Sequence, residues 1–504
     1  MSTLGLPSDE CLLEYDDHRL LASIATSAAA IAAGGGGGGA EEWFTPEQFG
    51  AKGNGTTDDT VAVQDAADAA SAVGGVVLFG SKTYKVTSTI TVAASAVRFV
   101  GLSWGTKILA SGDYGDIFLF DKGVVPSVLS DGIVGGGVYM MYIDSDVART
   151  TGAAIHTNYT HAFEISSVRL GVESPGTTTA DVHLYEAISM ENQSACLIEG
   201  CHISSIHSGA HITGNPITSG PFYIPFFGYD GKITACDFWG KPNTADSIGL
   251  FIDAGCGGFR LEGNSNISHY GTGTKISGAR EVFICQSYND GNLGDGIYVE
   301  SAELIHFDEA WAAGNGGYGL KKEGSGDFQL TGGRYATNGH SSIFLNSINR
   351  DNVHIITGTS TDGIEIGSGD VDNPGLSYSI SGGWLTGGGT ITDAVPNQGT
   401  KLVNGIMGYQ NVPSSYYQNL SVGANATGIS NFRMGQAVLS GGTVVVTDAN
   451  VTASTKIFIS VNTLGTIAIA AAYDATTRTP GVSFTIKSSS GTDTSTVDYI
   501  MIEP

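Results

Sequence analysis

Four carboxylates, Glu300, Asp308, Glu309 and Glu323, are spaced so that they could share one chemistry. Glu300 and Glu323 are 23 residues apart, and Asp308 and Glu309 lie between them. If 23 residues make one structural repeat, a column reads Asp253, Ser277, Glu300, Glu323, Asn346, and a second reads Glu262, Cys285, Asp308. Two carboxylates flanking one bond are what hydrolysis of a glycosidic linkage needs, ~5–5.5 Å apart for retention and ~6.5–9.5 Å for inversion. Neighbouring carboxylates also push one pKa upward, as a general acid requires. Outward acidic side chains on a chain with 49 of them are, as a rule, solvated surface. Their clustering therefore carries the expectation, and their acidity alone does not.

Sugar binding wants flat aromatic faces beside hydrogen-bonding groups. Tyr298 belongs to an outward column Phe251, Tyr298, Lys321, Phe344, and Tyr288, Trp311, Arg334 and Trp384 follow Asp308 and its equivalents by three residues. Tyr288, Tyr298, His306, Trp311 and Arg334 are thus expected to line a groove near Asp308. Packing between coils or subunits is an equal use for the same side chains. A second chemistry stays open, proton abstraction beside a uronate. It would take a base such as His306, Tyr298 or Lys321 and a cation such as Arg334 or Arg260. The acid-rich surroundings favour hydrolysis. No Asp-x-Asp-x-Asp-Gly calcium loop and no Cys-x-x-Cys pair occurs, so no metal or cofactor is expected.

These residues need a scaffold that repeats. The segments beginning at Phe259, Val282, Ile305, Phe328, Val353 and Tyr378 follow one another at 23, 23, 23, 25 and 25 residues, with apolar first and third positions in each. Period-two alternation inside a period near 23 predicts the coils of an all-β, right-handed parallel β-helix, stacked at ~4.8 Å. A second inward set runs Leu250/Ile252, Ile297/Val299, Leu320/Lys322, Ile343/Leu345, Ile364/Ile366, with Lys322 out of character. Looser matches such as Phe163/Ile165 and Ile233/Ala235 carry the β-helix back, giving a span of 126–403 after an entry and capping region at 41–125. Residues 404–429 read as a connector. Closely spaced strands at 442–446, 456–459, 466–469, 483–486 and 497–500 predict a C-terminal β-sandwich over 430–504. Residues 1–40 read as a short helical segment closed by the Gly34–Gly39 run, a hinge.

Composition narrows the partners. Twenty-three basic against 49 acidic residues give a net charge of −26, which argues against nucleic acid and against an anionic membrane surface. The apolar stretch Leu20–Ala33 is too short to span a bilayer, and acidic residues precede it, so neither a leader nor membrane insertion is expected. The six cysteines are expected as buried free thiols.

Two stretches resemble a known family. Phe49-Gly50-Ala51-Lys52-Gly53-Asn54-Gly55-Thr56-Thr57-Asp58-Asp59-Thr60, then Gln64-Asp65-Ala66-Ala67-Asp68-Ala69-Ala70, is similar to the opening motif of the pectate-lyase-like superfamily, frequent in bacteriophage tailspikes and capsule depolymerases. Residues 430–504 are similar to small terminal domains of phage tail proteins. The resemblance implies a homotrimer on a virion, docked to the phage tail or baseplate through the N-terminal segment and acting on a bacterial surface polysaccharide: capsule, exopolysaccharide or O-antigen. It transfers no catalytic residue. A non-cleaving fibre or adhesin on the same scaffold is the alternative.

Overall fold

The computed structural model describes residues 42–126, 128–172, 182–214, 230–347, 352–356, 360–366, 377–381, 384–393, 400–404, 407–408, 431–449, 451–467 and 472–503. The helical segment and hinge expected at 1–40, and nearly all of the connector expected at 404–429, lie outside them. The chain divides into two compact units, one ending at Phe259 and the other beginning at Arg260. Both contain coils of a right-handed parallel β-helix.

In the first unit the opening motif folds as a cap. The Asp59 carboxylate accepts the backbone N–H groups of Lys52 (2.6 Å) and Gly53 (2.9 Å), closing the glycine-rich loop ahead of helix α1 (Thr60–Ser71). Helix α1 buries Val63, Ala66, Ala67 and Ala70. Gln64 extends from it and pairs with both backbone groups of Thr91 at 2.9 Å, acting as an extra residue in the sheet. A helix laid over an end coil covers apolar surface and edge groups that would otherwise meet water.

Parallel pairing begins at Trp43, opposite Val76, so coils already run through the region expected only to lead into them. Val77, Phe99, Val138, Ile165, Ile198 and Ile233 pair in register and are all fully buried. Their separations are 22, 39, 27, 33 and 35 residues, and this irregularity hid the early coils from a search for a fixed period.

In the second unit the coils keep time. Val282, Ile305, Phe328, Val353 and Tyr378 are in register, as are Ile297, Leu320, Ile343 and Ile364. Asn292, Asn315 and Asn338 stack at 23-residue intervals, each amide donating to the next Oδ1 at 3.0 and 3.1 Å. Lys322 is inward and fully buried. Its stem continues the apolar column and its ammonium donates to the carbonyls of Glu323 (3.2 Å), Gly324 (2.8 Å) and Ser325 (3.2 Å). A lysine at that position thus caps the corner that follows.

The C-terminal sandwich has two three-stranded antiparallel sheets, Asn431–Val438, Thr496–Glu503 and Lys456–Thr463 against Thr443–Thr447, Ser483–Ser488 and Tyr473–Thr479. Leu439, Val451, Phe484, Ile486, Val497 and Met501 form its core. The strand expected at 466–469 is not formed by its described residues. Thr466 instead donates its N–H to Thr494 Oγ1 at 3.0 Å, and the strand lies at Tyr473–Thr479. Among the described cysteines all are free thiols, four buried and Cys285 partly exposed.

Candidate active site

Each coil of the second unit turns through three faces. Ile297–Glu300 and Leu320–Gly324 belong to the first, Leu304–Asp308 and Asp327–Thr331 to the second, Trp311–Ala313 and Arg334–Ala336 to the third. The first corner needs backbone that side chains would obstruct. Gly326 has φ +113°, and a Cβ there would fall 1.2 Å from the Ala302 carbonyl oxygen. The second corner is made by Gln286 and Glu309 on successive coils, both left-handed, with Gln286 donating to Glu309 at 3.2 Å.

This geometry divides the residues singled out by spacing. Tyr298, Glu300 and Glu323 share the first face. His306 and Asp308 are on the second, Glu309 is at the second corner, and Tyr288, Trp311 and Arg334 are on the third. The single groove expected beside Asp308 does not form, because two corners intervene between Tyr298 and Trp311. Asp308 and Glu309 are exposed. Asp308 stands between Cys285 and Thr331, which offer no carboxylate partner in the column.

The first face concentrates the charge. Lys321 Nζ is 2.9 Å from Glu323 Oε2, and Lys275 Nζ is 3.3 Å from Glu300 Oε2. Ser277 Oγ donates to the same Glu300 oxygen at 3.0 Å. The Tyr298 ring lies between the two ammonium groups, 5.6 Å from Lys275 Nζ and 4.7 Å from Lys321 Nζ. Partial burial pushes the Glu323 pKa up, but hydrogen bonds from Lys321 and Tyr298, helped by Asn346, outweigh it and hold the carboxyl below its ordinary range. The two-carboxylate column thus does not contain a raised Glu323.

The raised group is one that the spacing argument missed. Asp295 opens the same coil, and burial drives its pKa up against the Tyr318 N–H at 2.8 Å and the Lys321 charge, with Glu323 adding to the upward push. A readable signal existed, since Gly294-Asp295-Gly296 and Gly317-Tyr318-Gly319 lie 23 residues apart. Tyr318 and His340 were also missed. The Tyr318 ring stacks on Phe344 at 4.8 Å and meets the His340 ring at 5.1 Å. Beyond Glu300 the corner opens into a shallow groove of about 440 Å³, floored by small residues including Gly278, Ser301, Ser325 and Gly326.

The first unit has a different polar face. His156 Nδ1 is 2.8 Å from Asp116 and its Nε2 is 3.5 Å from Glu191. Burial lowers the imidazole pKa, but the two carboxylates outweigh it and raise it to about 10. His211 stacks on Phe251 at 4.7 Å and lies 3.4 Å from Asp253.

Comparison with known proteins agrees with the cap and coils of the first unit. Residues 43–224 match the family described as rhamnogalacturonase A/epimerase, pectate lyase-like. That match covers little more than a third of the chain. Residues 425–502, apart from the pectate-lyase-like stretch, match the C-terminal domain of K1 capsule-specific polysaccharide lyase. Depolymerase 1, capsule KN3-specific, of Klebsiella phage KN3-1 is 28% identical over 248 residues, 36% of this chain and 30% of that protein. The chain thus spans less than a third of that relative's length. Among solved structures, the tailspike gp61 of Pseudomonas phage phi297 aligns over 92% of this chain and 99% of its own, at 11% identity and a TM-score of 0.49. The tailspike gp49 of Pseudomonas phage LKA1 aligns over 91% and 99%, at 10% identity and a TM-score of 0.48.

Proposed function

We propose that the protein is a bacteriophage tailspike that binds and depolymerises a bacterial surface polysaccharide, acting outside the cell from the virion tail. The capsule-specific phage relative and the two family matches support the substrate class. The reaction we assign is glycoside hydrolysis on the first face of the second unit. One observation carries it: Asp295, half-buried and raised, sits in the turn that opens the first face and feels the Glu323 charge, while Lys321 and Tyr298 hold Glu323 below its ordinary range. Two carboxyls pushed apart by their surroundings divide the work of acid and base. Asp295 holds a proton to give to the glycosidic oxygen. Glu323 supplies the negative charge facing the anomeric carbon, and Glu300 with Lys275 and Ser277 fixes the neighbouring rung. Tyr318 and Phe344 offer stacked ring faces to a sugar, and the corner groove takes the chain onward. Homotrimer assembly and attachment through residues 1–40 belong to the same reading.

The test is reducing-end release from purified capsular polysaccharide or lipopolysaccharide glycan by wild type, Asp295→Asn and Glu323→Gln. Activity at wild-type rate in both variants sinks the assignment. An unchanged glycan size profile with wild-type protein would make it a non-cleaving fibre. A lyase reading has one observation in its favour, the match of residues 425–502 to the C-terminal domain of K1 capsule-specific polysaccharide lyase. An ultraviolet-absorbing unsaturated product would decide for it.

A further inference from the structure

The third face of the second unit carries side chains that the cleavage reading does not use. Tyr288, Trp311 and Arg334 occupy one register position on three successive coils. The rings of Tyr288 and Trp311 are 6.0 Å apart at 42°, and the Arg334 guanidinium lies 4.8 Å over the Trp311 ring. Tyr288 is 39% exposed and Arg334 is exposed, with the Asp290 carboxyl near enough to feel its charge. Asp290 backs the ladder from within, half-buried and accepting the Ala313 N–H at 2.9 Å beside the Trp311 indole.

An exposed tyrosine continuing onto a half-buried tryptophan needs a reason on a chain this polar, and packing alone does not supply one. Core packing would bury the rings, whereas here they climb the outside of the coils at the ~4.8 Å strand spacing. That rise is comparable with the length of one pyranose unit. A guanidinium resting over the indole loses part of its side-chain freedom, so less is lost when its N–H groups take a carboxylate in a forked pair. In a chain of net charge −26 such a cation is also a local exception to a field that repels anions.

We propose that Tyr288, Trp311 and Arg334 form a glycan-holding platform, separate from the cleavage face, that holds a sugar ring against the exposed Tyr288 side of the aromatic pair and takes the carboxylate of an acidic sugar on Arg334. The proposal rests on the reading of the protein as a polysaccharide-binding depolymerase and adds the substrate's charge. The platform holds the chain while the first face cuts it, and two grips on one polymer raise the effective concentration of bonds at the cleavage face.

The experiment is saturation-transfer NMR on the full chain with glucuronate, galacturonate and N-acetylneuraminate, each beside glucose, galactose and N-acetylmannosamine as neutral probes. Wild type should bind at least one acid more tightly than every neutral sugar, by about threefold or more. Arg334→Gln should erase that preference and keep ring binding, Arg334→Lys should restore part of it, and Trp311→Ala should remove both. Equal binding of acids and neutrals by wild type overturns the proposal, as does binding of neither, or a preference that survives in Arg334→Gln. Because Arg334 is exposed, its variants keep the test valid if Trp311→Ala fails to fold. Glu323→Gln separates the two readings. Acid binding that persists there while wild type cleaves no glycan refutes cleavage alone, and cleavage by a wild type without the acid preference refutes the platform alone.

Discussion

The two units build the same coil in opposite manners. In the first, successive coils differ by up to 17 residues in length, and histidines are set against acids: His156 with Asp116 and Glu191, His202 with Asp237, His207 with Glu186, His211 with Asp253. In the second, coils repeat every 23 to 25 residues and the acids of the first face answer to lysines and a tyrosine. Irregular coils spend their extra residues in loops between strands, whereas regular coils stack side chains of one kind into columns. The difference separates a face where histidines pair with acids from one where a lowered carboxyl, Glu323, lies on a strand that follows a turn carrying a raised one, Asp295. In the reading proposed above, the first arrangement holds coils together and the second carries the chemistry.

Removing the chemistry should show the largest effect. Glu323→Gln and Asp295→Asn should each lower depolymerisation by about 10²–10⁴-fold, the usual worth of a positioned acid or base, with melting midpoints near wild type. His156→Gln should leave the rate alone and lower the melting midpoint. If His156→Gln costs as much activity as Glu323→Gln, the contrast between the faces is lost.

Stability supplies the next separation. Lys322→Met keeps the apolar column but leaves the corner carbonyls of residues 323–325 without their donor. Urea unfolding should show a loss of about 1–3 kcal/mol, and the rate should fall with it because Glu323 is part of that corner. No loss of either would mean the ammonium is incidental.

The pH response should distinguish the units again. His156 has its pKa raised to about 10, so the stability it contributes is fully present below its ordinary value of ~6.5 and is lost as pH climbs through 10. Asp116 and Glu191 are both lowered, so their contribution is present above ~4.5 and is lost as pH falls through their depressed values. The first unit should thus be most stable between about pH 4.5 and 6.5 and weaken toward pH 10. In His156→Gln the alkaline decline should flatten. A decline of unchanged slope in that variant would assign it to other groups.

What could be read in advance follows the same division. The columns of the second unit were legible because each 23-residue step returns the chain to the same place, so Val282, Ile305 and Phe328 announce one another. The first unit offered no such period, and only its opening motif, with Asp59 and Gln64 in structural roles, marked it. Within the second unit the corners were invisible. Residues 297–308 alternate as one strand would, apart from a lapse at 300–304, and nothing in the spacing shows that the chain turns there. Lys322 looked like an error because a long side chain can bury its stem and still reach carbonyls at the bend. Asp295 escaped because it sits in a turn, outside the alternation that identified the other candidates.

The smallest expected effect tests those corners. Asp308→Asn and Glu309→Gln change the two carboxylates that spacing placed nearest the chemistry and that the fold moves onto another face and a corner. Both are exposed, Asp308 has Cys285 and Thr331 above and below it, and among the described residues Glu309 accepts from the Gln286 amide at 3.2 Å. An exposed acid with no second carboxylate next to it in its column lacks the partner with which glycoside hydrolysis divides its work. The double variant should retain its rate within about twofold and its stability within about 0.5 kcal/mol, as surface substitutions usually do. A loss comparable with that of Glu323→Gln would mean that the substrate crosses the first corner and bridges two faces, and the acid–base pair would then have to be sought across that corner.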